Sequence, residues 1–152
     1  MVASMIQARL ISAGERIVEP MLALARCSKL QRIIVAGSKS AELMFELHRR
    51  GQVRVATTAN CGLPAGQYDV ALVDWRQRSI KALETTLDWL VDFLSPEGVV
   101  VVWIDPQELA DNRRLRRVLE AHGLIVEAGT IREHGYAVSA QRRDARSFSK
   151  VA

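Results

Sequence analysis

Two short stretches carry residue types that could do chemistry. "DWRQR" at 74–78 closes the apolar run "YDVALVDW", where a strand would end. There Asp74 could act as a general base or orient a nucleophile, Trp75 could stack on a planar substrate, and Arg76 could hold an anion. The structural alternative is that Asp74 caps a turn, Trp75 packs on the neighbouring helix, and both arginines are solvated. "GSKS" at 37–40 follows a second apolar run and precedes a helical pattern. The amides and hydroxyls of Ser38, Lys39 and Ser40 at a helix start would make an anion site, with Lys39 adding charge. A phosphate-binding Walker loop needs a second glycine and a longer run before its lysine, and that spacing is missing. The structural alternative here is a capped turn whose lysine points into solvent.

The remaining reactive side chains do not converge. Cys27 and Cys61 are far apart, with no C-x-x-C or His/Cys spacing, so neither a zinc site nor a disulfide framework is expected, and a reducing cytoplasm fits best. Cys61 has no adjacent His or Lys to form a thiolate pair. His48, His122 and His134 are scattered, and no metal is implied; Glu133 beside His134 reads as a solvated pair. The net charge of +4 would help attract an anionic partner without naming one. The basic clusters are "NRRLRR" (112–117, with Arg113, Arg114, Arg116 and Arg117) and "RRDAR" (142–146). They could meet RNA or an acidic protein, since phosphate contacts need only lysine or arginine, but no aromatics are interleaved for base stacking. A charged solvent face is the simpler reading of both clusters. The longest charge-free apolar stretch, 98–104, is too short to span a bilayer, and no basic segment followed by an apolar one marks a signal peptide.

The elements that must position these groups follow from periodicity. With 152 residues, 49% of them apolar, the chain suits one domain with a real core. Residues 3–30 read as two helices, broken near Gly14, with Pro20 in the first turn of the second. "RIIVAG" is a strand covered on both faces, "SAELMFELHRRG" a helix ending at Gly51, and "VRVAT" a second strand. "ANCGLPAGQ" is loop, and "YDVALVDW" the next buried strand. Ser79 caps "IKALETTLDWLVDFL", whose Ile80, Leu83, Leu87, Leu90 and Leu94 form one stripe. Pro96 and Gly98 end it ahead of "VVVVWI". The next helix starts at Asp105, with Pro106 and Glu108 completing a capping pattern, or later at Asp111 or Asn112. Leu115, Val118 and Leu119 form its apolar face. "LIVEAGTI" and "YAVSAQR" make an antiparallel hairpin around "REHG". Strand–helix alternation with a closing hairpin implies a three-layer α/β domain with helices on both sheet faces. The parts are N-terminal helices at 1–29, the α/β domain at 30–143 and a polar, frayed tail at 144–152.

This order resembles the class I S-adenosylmethionine-dependent methyltransferases, a Rossmann-like fold whose sheet ends in an antiparallel hairpin. The segments that carry the likeness are "RIIVAGSKSAELMFELHRRG", "LPAGQYDVALVDW", "LDWLVDFLSPEGVVVVW" and "LRRVLEAHGLIVEAGTIREHGYAVSAQR". Aligned on the helix ending at Gly51, the family's loop acid falls on Val35 and its three glycines on Gly37, Lys39 and Ala41. The ribose-binding acid falls near Thr57 or Thr58. The connection to "YDVALVD" is too short for the usual further helix and strand, so "VRVAT" would be a sheet edge open to homodimerisation by strand pairing. The resemblance implies an S-adenosylmethionine site formed by Gly37, Ser38, Lys39, Ser40, Thr57 and Asn60, with Asp74 and Trp75 facing the substrate. The departures imply that this site is eroded and the domain serves binding or regulation. A divergent active methyltransferase and a nucleotide or phosphate binder using the Gly37–Ser40 loop are the alternatives.

Overall fold

The computed structural model describes residues 13–37, 39–57, 66–76, 79–104, 112–132 and 135–142. The elements are α1 (Ala13–Ala25), β1 (Ile33–Gly37), α2 (Ser40–Arg49), β2 (Val55–Thr57), β3 (Tyr68–Asp74), α3 (Ile80–Phe93), β4 (Leu94–Ile104), α4 (Asn112–Ala121), β5 (Leu124–Arg132) and β6 (Gly135–Arg142). They build one six-stranded sheet in the order β2-β1-β3-β4-β6-β5. β2, β1, β3 and β4 are parallel, and β6 runs antiparallel to both β4 and β5. The fold is the expected α/β class, a mostly parallel Rossmann-like sheet ending in an antiparallel hairpin.

The uninterrupted apolar runs are explained by burial on both faces, because successive strand residues point to opposite sides. Ile34, Ala71, Val73, Val100 and Val102 face one core, closed by Leu83, Leu87 and Leu90 of α3 and Leu115, Val118 and Leu119 of α4. Ile33, Val35, Val70, Leu72 and Val101 face the other, closed by Ile17, Val18 and Met21 of α1 and Leu43 and Leu47 of α2. Ser79 caps α3 as expected, its hydroxyl accepting from the Ala82 amide at 3.2 Å.

Two local readings are corrected. Pro20 does not sit in the first turn of a second helix: α1, Ala13–Ala25, has Pro20 inside it. The expected break near Gly14 borders residues 1–12, which lie outside the described residues. An interior proline costs about 3 kcal/mol, whereas burying Ile17, Val18 and Met21 returns about 1.5–3 kcal/mol for each side chain. Tertiary packing wins. The segment "LSPEG" is strand rather than turn, because α3 ends at Phe93 and Leu94 is already extended. The extra residues are absorbed between the register pairs Tyr68↔Leu94 and Val70↔Val99. α4 begins at Asn112, the later of the two starts; Asp105 and Pro106 lie outside the described residues.

Between β2 and β3 no helix or strand occurs among the described residues. The chain places β2 on one side of β1 and β3 on the other, so its winding reverses at the β1–β3 boundary. In open α/β sheets the crevice above such a reversal, at the carboxyl ends of the strands, is where ligands bind.

Candidate functional site at the strand reversal

Gly37 and Asp74, the last residues of β1 and β3, are register partners at that reversal. Gly37 has φ +111°, and a methyl group there would sit 2.1 Å from the Asp74 carbonyl oxygen. Glycine is therefore demanded twice, by backbone conformation and by the neighbouring strand. Its small size is accounted for by Asp74 without any ligand. Ser38 lies outside the described residues. Lys39 is the N-cap of α2, but no side chain caps the helix there. Its ammonium lies 3.9 Å from Glu42, with both side chains about half exposed. Such a pair is screened and adds little. Ser40 is the first residue of α2.

Asp74 is 0% exposed. Arg76 grips it with a fork: Nε donates to Oδ1 at 2.7 Å and Nη2 to Oδ2 at 2.6 Å. The Arg76 amide adds a longer contact of 3.3 Å to Oδ1. A bidentate, charge-assisted pair holds a carboxylate in place and occupies lone pairs that a general base would need. The Arg76 side chain itself remains 18% exposed. Trp75 takes the packing role rather than offering a stacking face. It is 2% exposed, lies in the core beneath α3, and donates from Nε1 to the Ser79 carbonyl at 3.0 Å.

Val35, at the family's acidic loop position, is fully buried in the core. Thr57 ends β2, half-buried and paired with Val35. Thr58, Asn60 and Cys61 are outside the described residues. Among the described residues, the last residues of β1, β2 and β3 thus include one carboxylate, Asp74, and it is held by Arg76. Cys27 lies after α1 and is no nucleophile: burial, then the charge of Asp69, pushes its thiol up to about 11. No group of three or more His, Cys, Asp or Glu that could hold a metal occurs among the described residues.

The arginines divide into two kinds. Arg113, Arg114, Arg116 and Arg117 are exposed on α4, opposite its buried face. Arg142, read from sequence as part of a basic cluster, is turned inward instead. Its guanidinium donates to the carbonyls of Val91 and Leu94 at the end of α3, where a cation is favourable. The remainder of that cluster and the 133–134 turn lie outside the described residues.

Sequence reasoning passed over Trp103, the register partner of Asp74 on β4. It is 1% exposed, and its indole nitrogen has no hydrogen-bond partner. The available signal was a single tryptophan closing a run of valines at the carboxyl end of a strand.

No protein-family model matches the sequence, and no curated protein does. Solved structures match along most of their length. A SAM-dependent methyltransferase from Archaeoglobus fulgidus aligns with TM-score 0.58 at 10% identity, over 92% of this chain and 99% of that one. The 1,6-didemethyltoxoflavin-N1-methyltransferase of Burkholderia thailandensis, solved with S-adenosylhomocysteine, aligns with TM-score 0.56 at 14% identity, over 94% and 85%. The [4+2]-cyclase SpnF aligns with TM-score 0.59 at 12% identity, over 86% and 81%. At these identities the likeness concerns architecture, and one architecture hosts many reactions. The chain has the class I S-adenosylmethionine-dependent methyltransferase-like fold.

Proposed function

We propose that this domain is a binding or regulatory module built on the methyltransferase fold, with an eroded cofactor site. The observation that carries the proposal is the state of Asp74: fully buried, and clamped by Arg76 through both oxygens. A base or orienting acid at that place must give up its strongest partner before it can act. The described residues also do not fit a sulfonium nucleoside. Lys39 places a cation at the loop, Val35 is core, and Thr57 offers a ribose a neutral hydroxyl, which binds less strongly than a carboxylate.

Calorimetry with S-adenosylmethionine and S-adenosylhomocysteine tests this directly. The expected result is binding no tighter than about 1 mM, or about −4 kcal/mol. Micromolar binding of either overturns the eroded site and favours a divergent active methyltransferase.

A further inference from the structure

We propose that the buried indole N–H of Trp103 is a ligand-binding donor, reading an oxyanion on a small, largely apolar molecule held at the carboxyl ends of β3 and β4. The proposal deepens the binding-module reading and rests on it.

Three observations converge. First, the N–H is orphaned. Trp103 is 1% exposed and its nitrogen has no partner, whereas Trp75, equally buried at the same edge, is satisfied by the Ser79 carbonyl. Buried tryptophan N–H groups usually find a partner, and leaving one unmade is costly, so this one calls for an acceptor from outside the chain. Second, its placement is at the strand reversal. Asp74 and Trp103 are register partners, and the two-residue alternation puts Asp74 on the face of Val70 and Leu72, the same face as Trp103. Third, the ring is given room. A methyl on Gly135 would sit 2.5 Å from Trp103 Cζ2 and 2.7 Å from Cε2, the carbon bonded to the indole nitrogen. Glycine at the start of β6 thus lets the nitrogen-bearing side of the ring pack close to the backbone there.

The surroundings set the ligand class. An indole N–H only donates, so the ligand must present an acceptor. Arg76, two residues past the end of β3, balances the Asp74 carboxylate at this edge, so an anionic acceptor is not repelled. The core residues on this face of the sheet are apolar, which suits an apolar body. Carboxylate and phosphate share this chemistry.

The test uses the indole region of a ¹⁵N–¹H correlation spectrum of the whole protein. It should hold three signals, one per tryptophan, with the signal lost in Trp103→Phe assigning the group. The probes are benzoate, phenyl phosphate and, as a neutral acceptor on the same ring, benzamide. The expected result is a saturable downfield shift of the Trp103 signal with one of the anions, weaker with benzamide, and about tenfold poorer binding of that anion to Trp103→Phe. No shift with either anion overturns the proposal, as does unchanged affinity in the variant, a benzamide response equal to that of the anions, or a bound-water cross-peak at this N–H that no probe displaces. The titration of the unaltered protein decides the question even if the variant does not fold. S-adenosylhomocysteine binding is read separately at the Gly37 amide, so the two readings fail independently.

Discussion

A methyl group on Gly37 would have to occupy the space of the Asp74 carbonyl. Gly37→Ala should therefore cost more than about 2 kcal/mol, since positive φ alone costs roughly 1–2 kcal/mol and the clash adds to it. Gly123 supplies the internal control. It too has positive φ, +77°, but a methyl there meets nothing within 4 Å, so Gly123→Ala should cost only the roughly 1–2 kcal/mol of the backbone conformation. Denaturant midpoints of the two variants check the contrast. Equal losses would mean that the strand contact contributes nothing. The Asp74–Arg76 pair allows a second measurement. Arg76→Met removes the main partner of a fully buried carboxylate and should destabilise by about 3 kcal/mol, as when other buried pairs lose one member. Arg76→Lys should fall between, because an ammonium keeps the charge and loses the fork. A neutral Arg76→Met would restore the solvated arginine that the sequence also allowed.

Contacts between elements carry their own pH and capping effects. His122, just after α4, is hydrogen-bonded by Nδ1 to the Val118 carbonyl at 2.8 Å and by Nε2 to Asp88 of α3 at 2.7 Å. Burial lowers its pKa, but the Val118 carbonyl, Asp88 and the charge of Glu84 together outweigh burial, and the net shift is upward from 6.5. Folding then favours the protonated ring. The stabilisation is fully present below the unfolded pKa, about 6.5, and is lost as pH rises through the higher folded value. Because Asp88 is largely exposed, the effect should be a few tenths of a kcal/mol. Denaturant midpoints between pH 5.5 and 8.5, values chosen to bracket about 6.5, should fall with pH, and His122→Gln should remove that slope. At the other end of α3, Arg142→Met leaves the last carbonyls without their cation and should cost about 1–2 kcal/mol by the same assay. Loss of less than about 0.5 kcal/mol would place Arg142 with ordinary surface residues.

At the scale of the whole molecule, stability rests on two cores on either side of one sheet, and the sheet edges are where strand pairing between copies would occur. The described part of the β2 edge is three residues, about 10 Å of ladder. The β5 edge is longer but irregular between Val126 and Ala128, with Glu127 at the break, a device that discourages edge pairing. Sedimentation at micromolar concentration should therefore show a monomer, and a dimer would count against this reading of the edges and in favour of the strand pairing at β2 that the sequence allowed. The layered α/β architecture was legible in the residues alone. Continuous Val/Ile/Leu runs between helical stripes are compatible with few other arrangements, and the Ser79 cap and closing hairpin follow from local chemistry. The site was only partly legible. Gly37 and Asp74 could be nominated because they end apolar runs, but their meeting across β1 and β3 depends on a register that joins residues far apart in the chain. Pro20 inside α1, Arg142 on the end of α3, the burial of Trp75 and the unpartnered nitrogen of Trp103 were decided by tertiary structure. Each reflects which distant atoms compete for the same space or the same hydrogen bond, and linear spacing does not record that competition.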